Sequence, residues 1–575
     1  MSILDPVWTK PASITKKTLD PLGLDRVSNR LTSDMLRGIT ALTPRARYYS
    51  FYVWDIKNVN ESEDIDRFDD FRNAFFDRGR AYVLACVGHE ARGQNPIGDH
   101  SNILGSVKGE PKWRTSGGKV NVRGFRHLGN RLGGYGYYYQ ASIGFLGLTK
   151  KEQMKDVLTP LGRKLAEAFE KAVSETKYYR KYIGKDLVPK SVLIEYGSKC
   201  CLCLLCEKTA PERVLLTEIM FGMNKEAEGI KYHENRRNTL SIILYDIYAL
   251  SKYPNNLDED TFLDTVYFKQ FESDKIVRNV NFPSQLERAV ERWKMFRNHD
   301  FFSYSCESLF RAFLMTLDIH RTAGLSFPSF INLINNTKLT QQLSSILHEK
   351  LNAKSPKGIL LRQILLKLCS AVTGNKSSRF DLNTSKEFDS RCNLSSEMNE
   401  NTLSASLQNH FDSEVFDLCK VTALASLILL TLYVRFYWRS RTKDRSWGWL
   451  VYRSGSDLSP ASLVFQLEHK LSNPNYTLFD FVSWIYKDYI LSQAVSVYNH
   501  KVGSSLYSRP ISWFHQDGKV YRIDRPPMKP RFRNSRFYSC LNILSDLGLC
   551  ESIDGHYQLT VDGIKLLEKL GIAVK

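Results

Sequence analysis

The chain has 575 residues, 43% hydrophobic and 25% charged, with a formal net charge of +19. That length is too great for one hydrophobic core, so three or four domains are expected, and the composition reads as soluble and globular. Eleven cysteines, an odd and mostly scattered set, argue against a disulfide framework and for a reducing cytoplasm.

Met1 to Lys10 lacks a basic region followed by an apolar run, so no secretory signal is expected. Leu22 to Gly38 is a short amphipathic opening. Thr43-Pro44-Arg45-Ala46-Arg47 then leads into Tyr48-Tyr49-Ser50-Phe51-Tyr52-Val53-Trp54, where Thr43 can cap a helix and Pro44 can occupy its first turn. Arg45 and Arg47 would stand near the start of this aromatic helix. Two readings apply to them: an anchor for a phosphate or a partner's carboxylate, or arginines at the rim of a packed helix.

Between Lys108 and Arg131 seven Lys/Arg (108, 112, 114, 119, 123, 126, 131) face one acid, Glu110. Gly129 to Gly136 is glycine-rich, but without a preceding strand and a lysine it reads as a tight turn, not a phosphate cradle. Leu146-Gly147-Leu148, Leu158-Thr159, Gly162 and Leu165 follow, the pattern of a helix stop, a hairpin and a Thr-capped helix.

Asp186 to Thr373 reads as helical, with Leu240, Ile243, Leu244 and Ile247 on one period and Leu309, Phe313 and Leu317 on another. Within it, Cys200, Cys203 and Cys206 could lie near one helical face and are candidates to ligate zinc. No second Cys/His pair stands at finger spacing, and Leu202, Leu204 and Leu205 suggest cysteines acting as small hydrophobes, so no zinc is expected. Glu307, among Phe301, Phe302, Leu309 and Phe310, is expected to bond a nearby arginine such as Arg311.

Asn375 to Ser413 is rich in Ser and Asn and poor in apolar periodicity, and it reads as a linker or mobile loop. Helices resume from Glu414, including the apolar run Val421 to Val434, which at fourteen residues is too short to span a bilayer comfortably and reads as a buried helix. Asp457 with Glu468 and Lys470 is the best nuclease-like match. However, Ser459-Pro460 should open one helix through Leu471, which would turn Glu468 and Lys470 to different sides. Ile511 to Ile523 reads as a hairpin turning at Asp517-Gly518.

The closing segment repeats the earlier pattern. Leu547-Gly548-Leu549, Leu559-Thr560, Gly563 and Leu566 match Leu146-Gly147-Leu148, Leu158-Thr159, Gly162 and Leu165 at a constant offset of 401, as do Tyr538 with Tyr137 and Lys565 with Lys164. Convergence of any helix, hairpin and capped helix on these residues is the plainer reading. On the winged-helix reading, Phe537, Leu541 and Leu544 anchor a recognition helix whose polar face is Ser535, Tyr538, Ser539 and Asn542. Nine Lys/Arg between Lys501 and Arg536 precede it, against Asp517 and Asp524. Such charge beside a groove-reading helix suits phosphates, because each neutralised phosphate releases counterions. Trp113, Phe125, Tyr135, Trp513, Phe514 and Tyr521 would either stack on bases or lie in cores.

No Walker A loop, no Gly-x-Ser-x-Gly elbow and no His-Glu-x-x-His is present in the sequence. The Thr43 to Trp54 segment, Gly133-Gly134-Tyr135-Gly136-Tyr137-Tyr138 with its Leu-Gly-Leu and Leu-Thr-Pro-Leu-Gly, and Ser535 through Leu549 resemble a group of bacterial proteins encoded in antiviral defence islands. That resemblance covers most of the chain. It implies an accessory subunit beside a helicase, ATPase or nuclease, and it carries over no catalytic residue.

The expectation is a mainly α, multidomain helical protein with winged-helix-like units near both ends. Its segments would be a helical domain at 1–185 (winged-helix-like unit at about 120–175), a helical domain at 186–374, the linker at 375–413, a helical domain at 414–500 and a basic winged-helix-like domain at 501–575. Its function would be non-catalytic: a cytoplasmic, DNA-engaging accessory subunit of an antiviral defence system, without cofactor, binding duplex DNA and a protein partner. The nucleic-acid-binding residues would be Arg531, Arg533, Arg536, Tyr538, Ser539 and Asn542 with Lys119, Arg123, Arg126 and Arg131. The alternatives are a nuclease of unrecognised type and a DNA-binding transcriptional regulator.

Overall fold

A computed structural model of the chain describes residues 20–41, 45–61, 68–90, 103–123, 132–152, 155–224, 233–254, 257–349, 351, 358–413, 415–441, 458–503, 513–522 and 529–573. Among them the protein is mainly helical, and the strands pair only as five short two-stranded antiparallel ribbons. The chain divides into two compact units, each discontinuous in sequence. One comprises Met1–Arg30 and Met295–Arg533, the other Leu31–Lys294 and Asn534–Lys575.

The Met295–Arg533 unit is built around the helix Leu418–Tyr437. Asp417 caps it by accepting from the Cys419 and Lys420 amides, and every residue from Val421 to Phe436 is buried. By length and composition alone this helix could cross a membrane, but 89% of its apolar window is buried inside the protein, packed by Asn336–Ile346, Leu382–Arg391, Glu400–Asp412 and Pro460–Leu471. The expected buried helix is therefore there. Its last turn carries a charge that the helix could not bury unpaired. Arg435, 1% exposed, is held by Glu400 through Nε and Nη2 at 2.7 and 2.9 Å and by Asp389 at 3.2 Å.

Asn375 to Ser413 is not a linker. It contains two helices, Leu382–Arg391 and Glu400–Asp412, both packed on the apolar helix. Their signals lie in caps and not in apolar periodicity. Asp381 forms a capping box with Thr384, and the Asn399 side chain accepts from the Thr402 amide. Glu400 is polar in sequence yet fully buried against Arg435, so a hydrophobicity pattern misses the face it occupies. The expected helix Pro460–Leu471 is present, opened by a Ser459 capping box, as is the hairpin at Asp517-Gly518. Glu307 does pair with an arginine, but it is Arg533 and not Arg311.

The other unit centres on the aromatic helix Arg47–Asn60. Thr43 and Pro44, expected to open it, lie outside the described residues. Phe51 stacks on Tyr82 at 4.0 Å, Trp54 meets Phe169 at 5.4 Å, and Tyr48 and Tyr49 close around Tyr139. These contacts join the helix to Phe68–Glu90 and Pro160–Val173. Helix Lys190–Cys200 lies along Phe68–Glu90 at backbone contact, because Gly197 leaves no side chain there; a Cβ would stand 2.2 Å from the Ala85 carbonyl oxygen. Helix Phe537–Asp546 belongs to the same unit, where Phe537 stacks on Phe262 at 5.1 Å.

Candidate nucleic-acid interface

The 401-residue repeat is a structural repeat. Strands Thr149–Glu152 and Lys155–Leu158 form the first hairpin, and Cys550–Ile553 and His556–Leu559 form the second, with boundaries and register displaced by the same offset. In each copy the glycine that ends the preceding helix is left-handed, Gly147 at φ 73° and Gly548 at φ 65°. The following leucine amide reaches back to close the helix end, Leu148 to Ile143 and Leu549 to Leu544. Thr159 Oγ1 donates to the Gly147 carbonyl at 2.6 Å and accepts from the Gly162 amide at 3.1 Å; Thr560 does the same with Gly548 at 2.7 Å and Gly563 at 3.1 Å.

The two copies differ in what they present. In the first, Tyr135, Tyr139, Ile143 and Leu146 are buried, while Tyr137, Ala141, Gly144 and Phe145 are exposed at helical spacing. Tyr137 is 60% exposed. Asp156 of the hairpin accepts from Tyr135 Oη at 3.0 Å and from Gln140 Nε2 at 2.6 Å, which fixes the hairpin beside that helix. Lys150, Lys151 and Lys155 on the hairpin and Arg163 and Lys164 on the following helix are all exposed, with Lys150 paired to Glu152 of the same strand at 2.6 Å and Arg163 to Glu61. The result is an aromatic helix face beside a basic wing.

In the second copy the helix Phe537–Asp546 is held on most sides. The Ser535 hydroxyl donates to Glu259, and Ser539 is buried. Asn542 is half-buried, and Tyr538 is exposed. Burial raises the Tyr538 phenol above its ordinary pKa despite that exposure. Arg536 is half-buried, donates to the Ile39 carbonyl at 3.1 Å and, through burial, has its pKa lowered from the usual arginine range. The lower end of the helix is clamped. Arg45 binds Asp546 at 2.9–3.1 Å, and Arg213 binds the Leu547 carbonyl and Asp562, each at 2.8 Å. A cavity of about 530 Å³ adjoins this hairpin, and the acids Asp546, Glu551 and Asp562 line it with Lys208 and Arg213. Lys150, Lys151 and Lys155 of the first hairpin correspond to Glu551, Ser552 and His556 of the second.

Arg531 and Arg533 fall in the other unit. Arg533 is buried, with Glu307 at 2.6 Å and Asp25 at 2.7 Å. Burial alone would pull its pKa down, but the carboxylates of Glu307, Asp25 and Asp300 hold it above the ordinary arginine value. The expectation that Arg533 reaches a phosphate is therefore replaced by a buried ion pair; nothing in residue type distinguishes the two environments. Arg531 remains exposed and pairs with Asp25 at 2.8 Å. Lys119 and Arg123 are exposed on one short ribbon segment, with Arg123 bridging Asp77 and Asp186. Arg126 and Arg131 lie outside the described residues.

Trp113, Tyr135 and Trp513 are buried, so they serve cores. Phe125 lies outside the described residues. Arg45 and Arg47 are also buried, and Arg47 pairs with Glu212 at 2.8 Å. Both arginines hold carboxylates of their own chain. Asp457 lies outside the described residues, while Glu468 pairs with Arg441. No protein-family model, curated protein or solved structure matches this chain. Sequence reasoning passed over Lys150, Lys151 and Lys155, although the offset of the repeat sets them opposite an acidic and neutral counterpart.

Cys200, Cys203 and Cys206 do not converge on one point. The helix ends at Cys200, and the chain turns through Leu202–Leu204. The metal-ligating atoms that do approach one another belong to His89, Cys201 and Cys203.

Proposed function

We propose that this protein is a non-catalytic, nucleic-acid-engaging accessory subunit of a multi-protein antiviral defence system, acting in the cytoplasm with an enzyme partner. The observation that carries the nucleic-acid part is the contrast between the two copies of one fold element. The first sets exposed Tyr137 and Phe145 beside Lys150, Lys151 and Lys155, whereas the second sets Glu551 and Asp554 at the matching hairpin. Lysines on a hairpin next to an exposed helix face suit a duplex, with phosphates on the wing and base edges on the helix. The contact surface is therefore assigned to the first copy. The second copy, pinned by Arg45 and Arg213, belongs to the frame. The accessory role rests on the resemblance of the Thr43–Trp54, Gly133–Tyr138 and Ser535–Leu549 segments to defence-island proteins.

Fluorescence anisotropy with a labelled duplex over a salt series tests this reading. Lys150→Ala/Lys151→Ala/Lys155→Ala should weaken binding about tenfold or more and reduce the salt slope by roughly one unit per lost phosphate contact. Unchanged affinity and slope in that variant would remove the basis for the proposal.

A further inference from the structure

The fold brings together side chains that are far apart in sequence and that have the chemistry of a metal site. Cys86 and His89 stand one turn apart on the helix Phe68–Glu90. Cys201 and Cys203 stand in the turn that follows the helix Lys190–Cys200. His89 Nδ1 lies 3.9 Å from Cys203 Sγ, and the ligand atoms of His89, Cys201 and Cys203 all fall within 4.8 Å of one another. A tetrahedral zinc ion with Zn–S near 2.3 Å and Zn–N near 2.0 Å sets its ligands about 3.5–3.8 Å apart, so His89 and Cys203 already stand close to that spacing and the rest of the trio lies within about an ångström of it. The Cys86 thiol is fully buried and lies near that of Cys201.

We infer that Cys86, His89, Cys201 and Cys203 form a structural zinc site that fastens the 201–203 turn to the helix Phe68–Glu90. Two observations besides proximity support it. The turn is held rigidly from outside: Arg47 donates to the Cys201 carbonyl at 2.6 Å and to the Lys199 carbonyl at 2.8 Å, and Tyr82 Oη donates to the Cys200 carbonyl at 3.0 Å. Such bonds fix the ligand-bearing backbone as an outer shell does. Finally, Gly197 allows the two helices to touch at backbone level, with its Cβ position 3.0 Å from His89 Cβ, which is what draws the turn down to His89.

Three thiolates and one imidazole are a soft set that selects zinc over magnesium or calcium. Cys206 is excluded from the set because its thiol donates to the Cys203 carbonyl. Sequence spacing suggested Cys200, Cys203 and Cys206 because it could not show that the partner is a helix more than a hundred residues earlier.

Full-length protein purified under reducing conditions without chelator should contain one equivalent of zinc by elemental analysis. After replacement by cobalt it should show the visible bands of a tetrahedral thiolate site with thiolate-to-cobalt charge transfer. Cys201→Ser/Cys203→Ser should lose the metal, while Cys200→Ser and Cys206→Ser keep it. His89→Cys should retain one equivalent and raise the charge-transfer intensity by about a third, since three thiolates become four. That variant guards against reading a folding defect as loss of a ligand. Wild-type protein that takes up neither zinc nor cobalt, or metal that survives Cys201→Ser/Cys203→Ser but is lost in Cys206→Ser, would overturn the assignment.

Discussion

Arginine at this protein's interior works mainly as a clamp on its own chain. Arg45, Arg47, Arg236 and Arg435 are each at most 1% exposed and bond carboxylates or backbone carbonyls of neighbouring segments. Arg533 is the most testable case. Removing it leaves Glu307 without its main partner and Asp25 with Arg531 alone, and burial already raises the Glu307 carboxyl above its ordinary pKa. Arg533→Ala should therefore cost about 3–5 kcal/mol in urea denaturation, and Arg533→Ala/Glu307→Ala less than the sum of the single changes. Partnering of this kind could not be read from sequence, because Glu307 meets an arginine 226 positions away. A second residue-scale effect is pH-dependent. Buried His299 donates through Nε2 to the Leu24 carbonyl, 3.1 Å away, and burial lowers its pKa to about 4. The unfolded chain thus binds a proton that the folded state refuses between about pH 6.5 and 4, so this group's contribution is full above that window and is lost on acidification, by up to about 3 kcal/mol. The adjacent Asp300, which burial raises to about 6, acts in the opposite sense. Replacing His299 by Gln, which can still donate to Leu24, should make stability fall less between pH 6.5 and 4 than in the wild type. An identical pH profile would show that His299 titrates normally in the folded state.

At the scale of elements, the helix–hairpin–helix repeat was legible because its signals are local. A glycine must be left-handed, a threonine must cap and a second glycine must admit a carbonyl, and each requirement writes one residue into the sequence. Gly162 and Gly563 show how strict the last one is. A Cβ would lie 2.0 Å from the Leu148 carbonyl oxygen in one copy and 2.1 Å from that of Leu549 in the other. The obstruction is backbone, so neither site can relax by moving a side chain. Gly162→Ala and Gly563→Ala should each destabilise by about 1–3 kcal/mol, and Thr159→Ala and Thr560→Ala by about 1 kcal/mol, measured by chemical denaturation. Glycine variants as stable as wild type would mean that the hairpins sit further from their helices than described. The helices at Leu382–Arg391 and Glu400–Asp412 were not legible for the converse reason. Their buried faces include Ser385, which donates to the Val434 carbonyl, and Glu400, which binds Arg435, so that burial there depends on distant partners and not on local hydrophobicity.

For the whole molecule, a net charge of +19 is a poor guide to where nucleic acid would bind, since buried arginines contribute to it as much as exposed lysines. Both discontinuous units draw on the N-terminal and C-terminal parts of the chain, so basic stretches adjacent in sequence need not share a surface. Arg533 and Arg536, three positions apart, fall in different units. What distinguishes the first copy of the repeat is the combination of exposed aromatics and hairpin lysines. Exchanging charge at the matched positions should transfer part of that property: Glu551→Lys/Ser552→Lys/His556→Lys should partly restore duplex affinity in a chain already carrying Lys150→Ala/Lys151→Ala/Lys155→Ala, as read by anisotropy. The most direct measurement is ultraviolet crosslinking of the full-length protein to a halogenated duplex, with the attached peptides mapped by mass spectrometry. The account predicts crosslinks within 135–158, centred on Tyr137 and Phe145; crosslinks confined to 529–546, or none at protein concentrations that saturate binding, would contradict it.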